Sequence, residues 1–122
     1  MAQHNETGKR GEELAAQHLS GQGFEIICRN WRYGRGEIDI VATKDNILAF
    51  VEVKTRGNNA FGEPETFVGM QKQRQLIKTA NAYIQTNNIA LEARFDVVSV
   101  ILGKNSFEIR CLEDAFRPVS RR

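Results

Sequence analysis

The sequence predicts an α/β fold: one mixed five-stranded sheet flanked by helices, in the order α-β-β-β-α-β-β. Three observations carry that prediction. Two stretches, residues 9–20 and 70–85, place apolar side chains at helical spacing. Five shorter stretches are rich in β-branched and aromatic residues and are bounded by Gly, Asn or Asp. The 122 residues are 41% hydrophobic and 26% charged, which suits one domain over residues 1–122 with a single core spanning about 8–118 and a short basic C-terminal tail.

The first helix is expected over residues 9–20, with Leu14, Ala15, Ala16 and Leu19 as its apolar stripe and Gly21 and Gly23 as its stop. "FEIICRNWRY" then reads as the first strand, "GEIDIVAT" as the second and "NILAFVEVKTR" as the third. "TKDN" between the second and third supplies the turn residues of a hairpin. "GNNAFGEPET", which holds Pro64, is a loop. The second helix carries Leu76, Ile77, Ala80, Tyr83 and Ile84 on one face. "RFDVVSVIL" is the fourth strand, and "KN" turns it into the fifth, "SFEIRCL". The third strand, second helix and fourth strand have the form of a right-handed crossover.

Composition narrows the function classes. No apolar run reaches the roughly 20 residues of a membrane helix, and "MAQHNETGKRGEE" has no apolar stretch of a secretion signal. A cytoplasmic location without membrane contact is the expectation. Cys28 and Cys111 have no metal-like spacing and read as reduced thiols in or near the core. With only His4 and His18, a His-rich metal site or a His-based triad is poorly supplied. The net charge of +2 permits nucleic-acid binding without demanding it. Three basic groups, Arg29/Arg32/Arg35, Lys72/Arg74/Lys78 and the tail residues Arg117, Arg121 and Arg122, point modestly toward phosphate contact.

The central hairpin is the most informative segment. A two-residue turn at Asp45-Asn46 pairs Lys44 with Ile47, Ala42 with Ala49, Ile40 with Val51 and Ile38 with Val53 on one apolar face. The other face then pairs Val41 with Phe50, Asp39 with Glu52 and Glu37 with Lys54. Two carboxylates would lie about 5 Å apart at Cβ in an apolar setting, which destabilises a sheet unless something compensates. A shared proton or a divalent cation would do so; Mg²⁺ suits one or two carboxylates, water and phosphate. Ordinary ion pairing on an exposed face, after a bulge breaks the register, is the bland alternative. Glu12 lies about 50° from the centre of the first helix's apolar stripe, so it points toward the sheet while Glu13 points to water. Glu12 is either a third acid of the same site or a first-turn residue favoured by the helix dipole.

An acid on one strand followed by Glu-x-Lys on the next resembles the PD-(D/E)XK nucleases, here as "GEID" and "VEVK". The wider set "GKRGEELAAQHLSGQGF", "NWRYGRGEIDIVA", "FVEVKTR", "FGEPE" and "RFDVVSV" resembles the YraN-like family of small bacterial proteins (uncharacterised protein family 0102), from about Gly8 to Pro118. That family is similar to archaeal Holliday-junction resolvases and restriction endonucleases. The resemblance implies a restriction-endonuclease-like core, Mg²⁺ or Mn²⁺ as cofactor and a nucleic-acid partner, expected to be DNA. Asp39 and Glu52 match the metal-binding acids, Lys54 the active-site lysine, and Glu12 the helix glutamate of the resolvases. Ile38 stands where the motif's proline is usual.

The implied chemistry is phosphodiester hydrolysis. Asp39, Glu52 and the Val53 carbonyl would hold the metal, Glu12 would add a ligand, and Lys54 would position water or stabilise charge on the phosphate. Arg29, Arg32, Arg35, Lys72 and Gln73 are candidate nucleic-acid contacts, and Trp31, Tyr33 or Phe61 candidate base-stacking rings. Trp31 also reads well as core. Related resolvases are dimers, so a homodimer is one expectation, although no dimer face is marked. The alternatives are a non-catalytic nucleic-acid-binding module of the same fold and an interaction domain whose acids form ordinary ion pairs.

Overall fold

The structure is a computed structural model, which describes residues 2–57 and 66–118, with side chains from residue 6 onward. Phe61, Pro64, the "FGEPE" segment, Arg121 and Arg122 lie outside the described residues. The elements are α1 (Ala2–Gly21), β1 (Glu25–Tyr33), β2 (Gly36–Lys44), β3 (Ile47–Gly57), α2 (Met70–Asn87), β4 (Glu92–Leu102) and β5 (Phe107–Phe116), in the predicted order. The strands lie side by side as β1-β2-β3-β4-β5. Only β3 and β4 run parallel, joined through α2; the other neighbours are antiparallel.

A helix covers each face of the sheet. Ala15, Ala16 and Leu19 of α1 pack with Phe24, Ile40, Ala42, Ala49, Val51, Val98 and Val100. Leu76, Ala80 and Tyr83 of α2 pack on the other side with Ile38, Val41, Leu48, Phe50, Phe95 and Val97. The two central strands therefore bury both faces, which is why "ILAFV" and "VVSV" read as continuous apolar runs. Both helices sit close to the sheet. Gly11 in α1 lies against Thr55 of β3, and Gly36 at the start of β2 lies against Thr79 of α2; neither site has room for a Cβ.

Several boundaries move outward from the sequence expectation. α1 begins at Ala2, seven residues before the predicted start, because its first turns carry no apolar stripe to reveal them. α2 continues to Asn87 and is closed by Asn88 in the left-handed region (φ 55°, ψ 49°). β5 runs on to Phe116 through an irregular register opposite Phe95/Val97. At that irregularity Asp96, only 3% exposed, accepts two hydrogen bonds from Arg94 (both 2.9 Å) and one from the Asp114 backbone N–H (2.9 Å). Asp114 itself has φ 53°. Asp96 thus ties the bent part of β5 to β4. Both cysteines are free: Cys28 is half-buried, whereas Cys111 is exposed on the edge strand β5 and does not belong to the core.

Candidate functional site

The central hairpin turns as predicted. Asp45 and Asn46 both have positive φ (51° and 68°), as a two-residue hairpin turn of the right twist requires. The ladder then pairs Lys44 with Ile47, Ala42 with Ala49, Val41 with Phe50 and Ile40 with Val51, and ends there. The pairs expected beyond it, Asp39–Glu52, Ile38–Val53 and Glu37–Lys54, are not formed. The Asp39 carboxylate takes the Val53 N–H at 2.8 Å, the donor a further ladder bond would use. The strand also turns over at this point. Ile38 packs in the α2-side core and Ile40 in the α1-side core, although regular alternation would put both on one face. The like-charged pair predicted to sit face to face is therefore pulled apart, with Asp39 on the cleft side of the opened hairpin.

β1 reverses in step. Cys28 and Trp31 both pack against the α2-side core, an odd separation that a regular strand forbids. Between them Asn30 is left-handed (φ 56°), a conformation Asn tolerates better than most residues. This turns Arg29 and Asn30 together toward α1. Arg29 bonds Glu12 Oε1 through Nε (3.2 Å) and Nη2 (3.1 Å), and Glu13 through Nη1 (2.9 Å). Asn30 Nδ2 donates to the same Glu12 oxygen at 2.8 Å. As expected from the helical wheel, Glu12 is turned inward, its side chain 14% exposed against 55% for Glu13.

These movements open a cleft of about 650 Å³ between α1 and the splayed hairpins. Glu12, Asn30, Arg32, Glu37, Asp39 and Val53 line it, with Lys9 and Thr55 at its walls. Asp39 is half-buried there, and its carboxyl is pushed up to about 7, first by burial, then by the negative charge of Glu52, with smaller pushes from Glu12 and Glu37. The Val53 N–H acts in the opposite direction and does not offset them.

The other predicted residues are distributed around this cleft. Glu52 is largely buried and lies 3.7 Å from Lys72 of α2, so it influences Asp39 from beyond the cleft's walls. Lys54 lines a smaller recess with Thr55, Arg56 and Ser99. Arg32 meets Glu37 at 3.4 Å. Arg35 is exposed and its carbonyl accepts the Gln75 amide (3.0 Å). Gln73 Nε2 donates to the Val68 carbonyl (2.7 Å), holding the entry to α2. Trp31 sits edge-on to Tyr83 (5.2 Å between ring centres), with the more exposed Tyr33 stacked beyond it. Asn30, like Lys9 and Thr55, lines the cleft without having been expected there; an Asn inside an otherwise β-forming run was the available signal.

Among the described residues no group of three or more His, Cys, Asp or Glu side chains is arranged to hold a metal ion. The donors that line the cleft are nevertheless all hard oxygens, Asp39, Glu12 and Glu37, around a carboxyl whose charge is uncompensated. That donor set fits Mg²⁺ or Mn²⁺, which bind through one or two carboxylates and complete their shells with water or phosphate oxygens.

Fold and site together define a class: an α/β protein whose central hairpin opens at a buried aspartate to form an acid-lined cleft under a helix. The chain belongs to the uncharacterised protein family UPF0102, whose model matches residues 11–100, the stretch that holds Glu12, Asp39, Glu52 and Lys54. It is 48% identical over 120 residues to a UPF0102 protein of Flavobacterium johnsoniae, covering 95% of this chain and 98% of the relative. Similar coverage relates it to UPF0102 proteins of Flavobacterium psychrophilum (45% identical over 116 residues, 95% and 98% covered) and Phocaeicola vulgatus (45% over 118 residues, 97% and 98% covered). No described helix is long and apolar enough to cross a membrane.

Proposed function

We propose that the protein is a metal-dependent endonuclease that hydrolyses phosphodiester bonds in DNA, with branched recombination or repair intermediates as the substrate class. The observation that carries this reading is Asp39: half-buried, braced by the Val53 N–H, and surrounded by the charges of Glu52, Glu12 and Glu37. A fold that needed only stability would not collect these acids around one half-buried carboxyl. The resemblance of "GEID" and "VEVK" to the PD-(D/E)XK pattern supports the same reading from the sequence.

In this reading Asp39 and Glu12 hold Mg²⁺ or Mn²⁺, with Glu52 and the Val53 carbonyl as further candidate donors. The ion, when bound, would neutralise phosphate charge and lower the pKa of a water nucleophile. The chain's own groups do the rest. The Val53 N–H fixes the Asp39 carboxylate. Lys54, two residues after Glu52 on β3, is assigned to the nucleophilic water or the phosphate oxygens. In this reading Lys9 and Arg32, which line the cleft, draw in a polyanion, and Arg35 and Lys72, outside it, contact its backbone.

A second reading, a nucleic-acid-binding module without turnover, is favoured by one observation: Glu52 is engaged by Lys72 at 3.7 Å rather than grouped with Asp39 and Glu12 in the cleft. Incubation with a labelled four-way junction, a flap and a linear duplex, in Mg²⁺ and in Mn²⁺, separates the two. Metal-dependent cleavage that disappears in Asp39→Ala supports the nuclease. Binding of these substrates without cleavage supports the module. Cleavage that Asp39→Ala leaves intact would sink the site assignment.

A further inference from the structure

Arg29 is one of the basic residues expected on the DNA, yet its guanidinium is committed to α1. Three donors converge on a single oxygen of Glu12: Arg29 Nε, Arg29 Nη2 and Asn30 Nδ2, at 3.2, 3.1 and 2.8 Å. The other oxygen, Oε2, takes no hydrogen bond among the described residues, although Glu12 lines the cleft. Glu12 can therefore offer a cation one oxygen and not two. Two of the three donors belong to one guanidinium and the third to the Asn30 amide, so two separate residues hold the same oxygen. The backbone, too, is bent for this contact. In a regular strand, Arg29 and Asn30 would point to opposite faces. The left-handed Asn30 (φ 56°) brings both to Glu12 and lets the strand resume at Trp31 with its faces exchanged.

We infer that Asn30, with Arg29, is a positioning residue for Glu12: it holds Oε1 so that Oε2 is the oxygen given to the divalent cation. The inference rests on the reading of Glu12 as a metal ligand proposed above. Groups that orient a ligand in this way typically contribute about 10–100-fold to metal affinity when removed. The effect differs from that of a residue that merely supports the fold, because affinity falls while stability does not.

The test is Mn²⁺ binding by calorimetry on the full chain, with thermal unfolding measured in parallel. Asn30→Gly removes the amide and keeps the left-handed backbone open to the chain. Arg29→Lys, which keeps the positive charge and loses the two-pronged contact with Oε1, serves if the glycine variant folds poorly. The expected result is a loss of about 10-fold or more in Mn²⁺ affinity, an unfolding temperature close to the parent's, and a loss no larger than that caused by Glu12→Gln. Parent-like affinity in the folded Asn30→Gly or Arg29→Lys variant overturns the inference while leaving the metal site standing. Parent-like affinity in Glu12→Gln also overturns it, since there is then no ligand to position. A parent chain that binds no Mn²⁺ removes the metal reading and this inference together.

Discussion

Asp96 and Asp39 stand on strands of the same sheet, β4 and β2, both withdrawn from water, and their surroundings are opposite in kind. Asp96 is compensated three times over, by two bonds from Arg94 and one from the Asp114 N–H, and the guanidinium of Arg94 is in turn held above its ordinary range, chiefly by the bond to Asp96. Asp39 receives one backbone N–H and is otherwise pressed by negative charge, so its carboxyl titrates near 7. The first arrangement closes a structural joint between β4 and β5. The second keeps an electrostatic deficit inside a cleft, the kind of perturbed carboxyl on which the proposed function rests. The same side chain serves as a fastener in one place and as an open valence in the other.

Breaking the fastener gives the largest expected effect. Asp96→Ala removes the bidentate partner of Arg94, leaves it only the exposed Glu113 carboxylate at 3.5 Å, and frees the Asp114 N–H. A loss of about 3 kcal/mol is expected, at the low end of the cost of breaking a buried pair because Glu113 remains, and chemical denaturation measures it. A loss below about 1 kcal/mol would place the joint in the class of exposed pairs and remove the contrast with Asp39.

The opposite sign is expected at Asp39. Its carboxyl ionises near 3.8 in an open chain and near 7 in the fold, so the fold holds that proton more tightly. The favourable contribution is complete below about pH 4 and is lost as pH rises through 7. Asp39→Asn keeps an oxygen for the Val53 N–H and carries no charge. It should therefore stabilise the protein at pH 8 by about 2–3 kcal/mol, less than the full shift implies because the cleft is open to water, and by almost nothing at pH 4. On the proposed nuclease reading, the same substitution abolishes cleavage. Denaturation curves at the two pH values decide the matter, and equal stability changes at both would show that the acids around Asp39 do not act on it.

How much of this contrast was legible follows from what strand periodicity can express. The turn at Asp45-Asn46, the apolar stripes of both helices and the inward Glu12 come from local chemistry, and the structure has each of them. Counting outward from the turn assumes that alternation continues. It stopped at Ile40–Val51, because a side chain, Asp39, took the place of a backbone acceptor and the strand turned over. Asp39 and the acids that act on it, Glu52 and Glu12, were named from the sequence, but the partners of those acids were not: the Arg29–Glu12 contact spans 17 residues and the Lys72–Glu52 contact joins a helix to a strand, and no spacing rule encodes either. Asp96 was visible only as a letter in "RFDVVSV", since its role depends on a bend in β5 that lies beyond the predicted end of that strand.

A smaller effect should distinguish the two regions through packing. The cleft that holds Asp39 is roofed by α1, and α1 reaches β3 closely only because Gly11 has no side chain against Thr55. Gly11→Ala gains a little helix propensity and must push the helix away from the strand, for a net cost of about 1–2 kcal/mol. On the proposed reading of the cleft, the displacement weakens Mn²⁺ binding there and leaves the Asp96–Asp114 joint between β4 and β5 as resistant to hydrogen exchange as before. Loss of exchange protection in β4 and β5 as well would mean that the two regions unfold as one unit and cannot be compared as separate designs.

The least effect is expected at the rim of the joint. Arg117 bonds the Asp114 carboxylate through Nε (3.0 Å) and Nη2 (2.5 Å), a closer pairing on paper than Arg94 makes with Asp96. The difference lies in solvent: the Arg117 side chain is 79% exposed and that of Arg94 is 19% exposed. Water and salt screen the outer pair, and ordering the arginine offsets what attraction remains. Arg117→Ala should therefore leave the unfolding temperature unchanged within error, at low and at high salt alike. A clear drop at low salt that vanishes at high salt would show that the outer charges help hold the bend of β5. The security of Asp96 would then depend on a network reaching the surface, and its contrast with Asp39 would be one of degree.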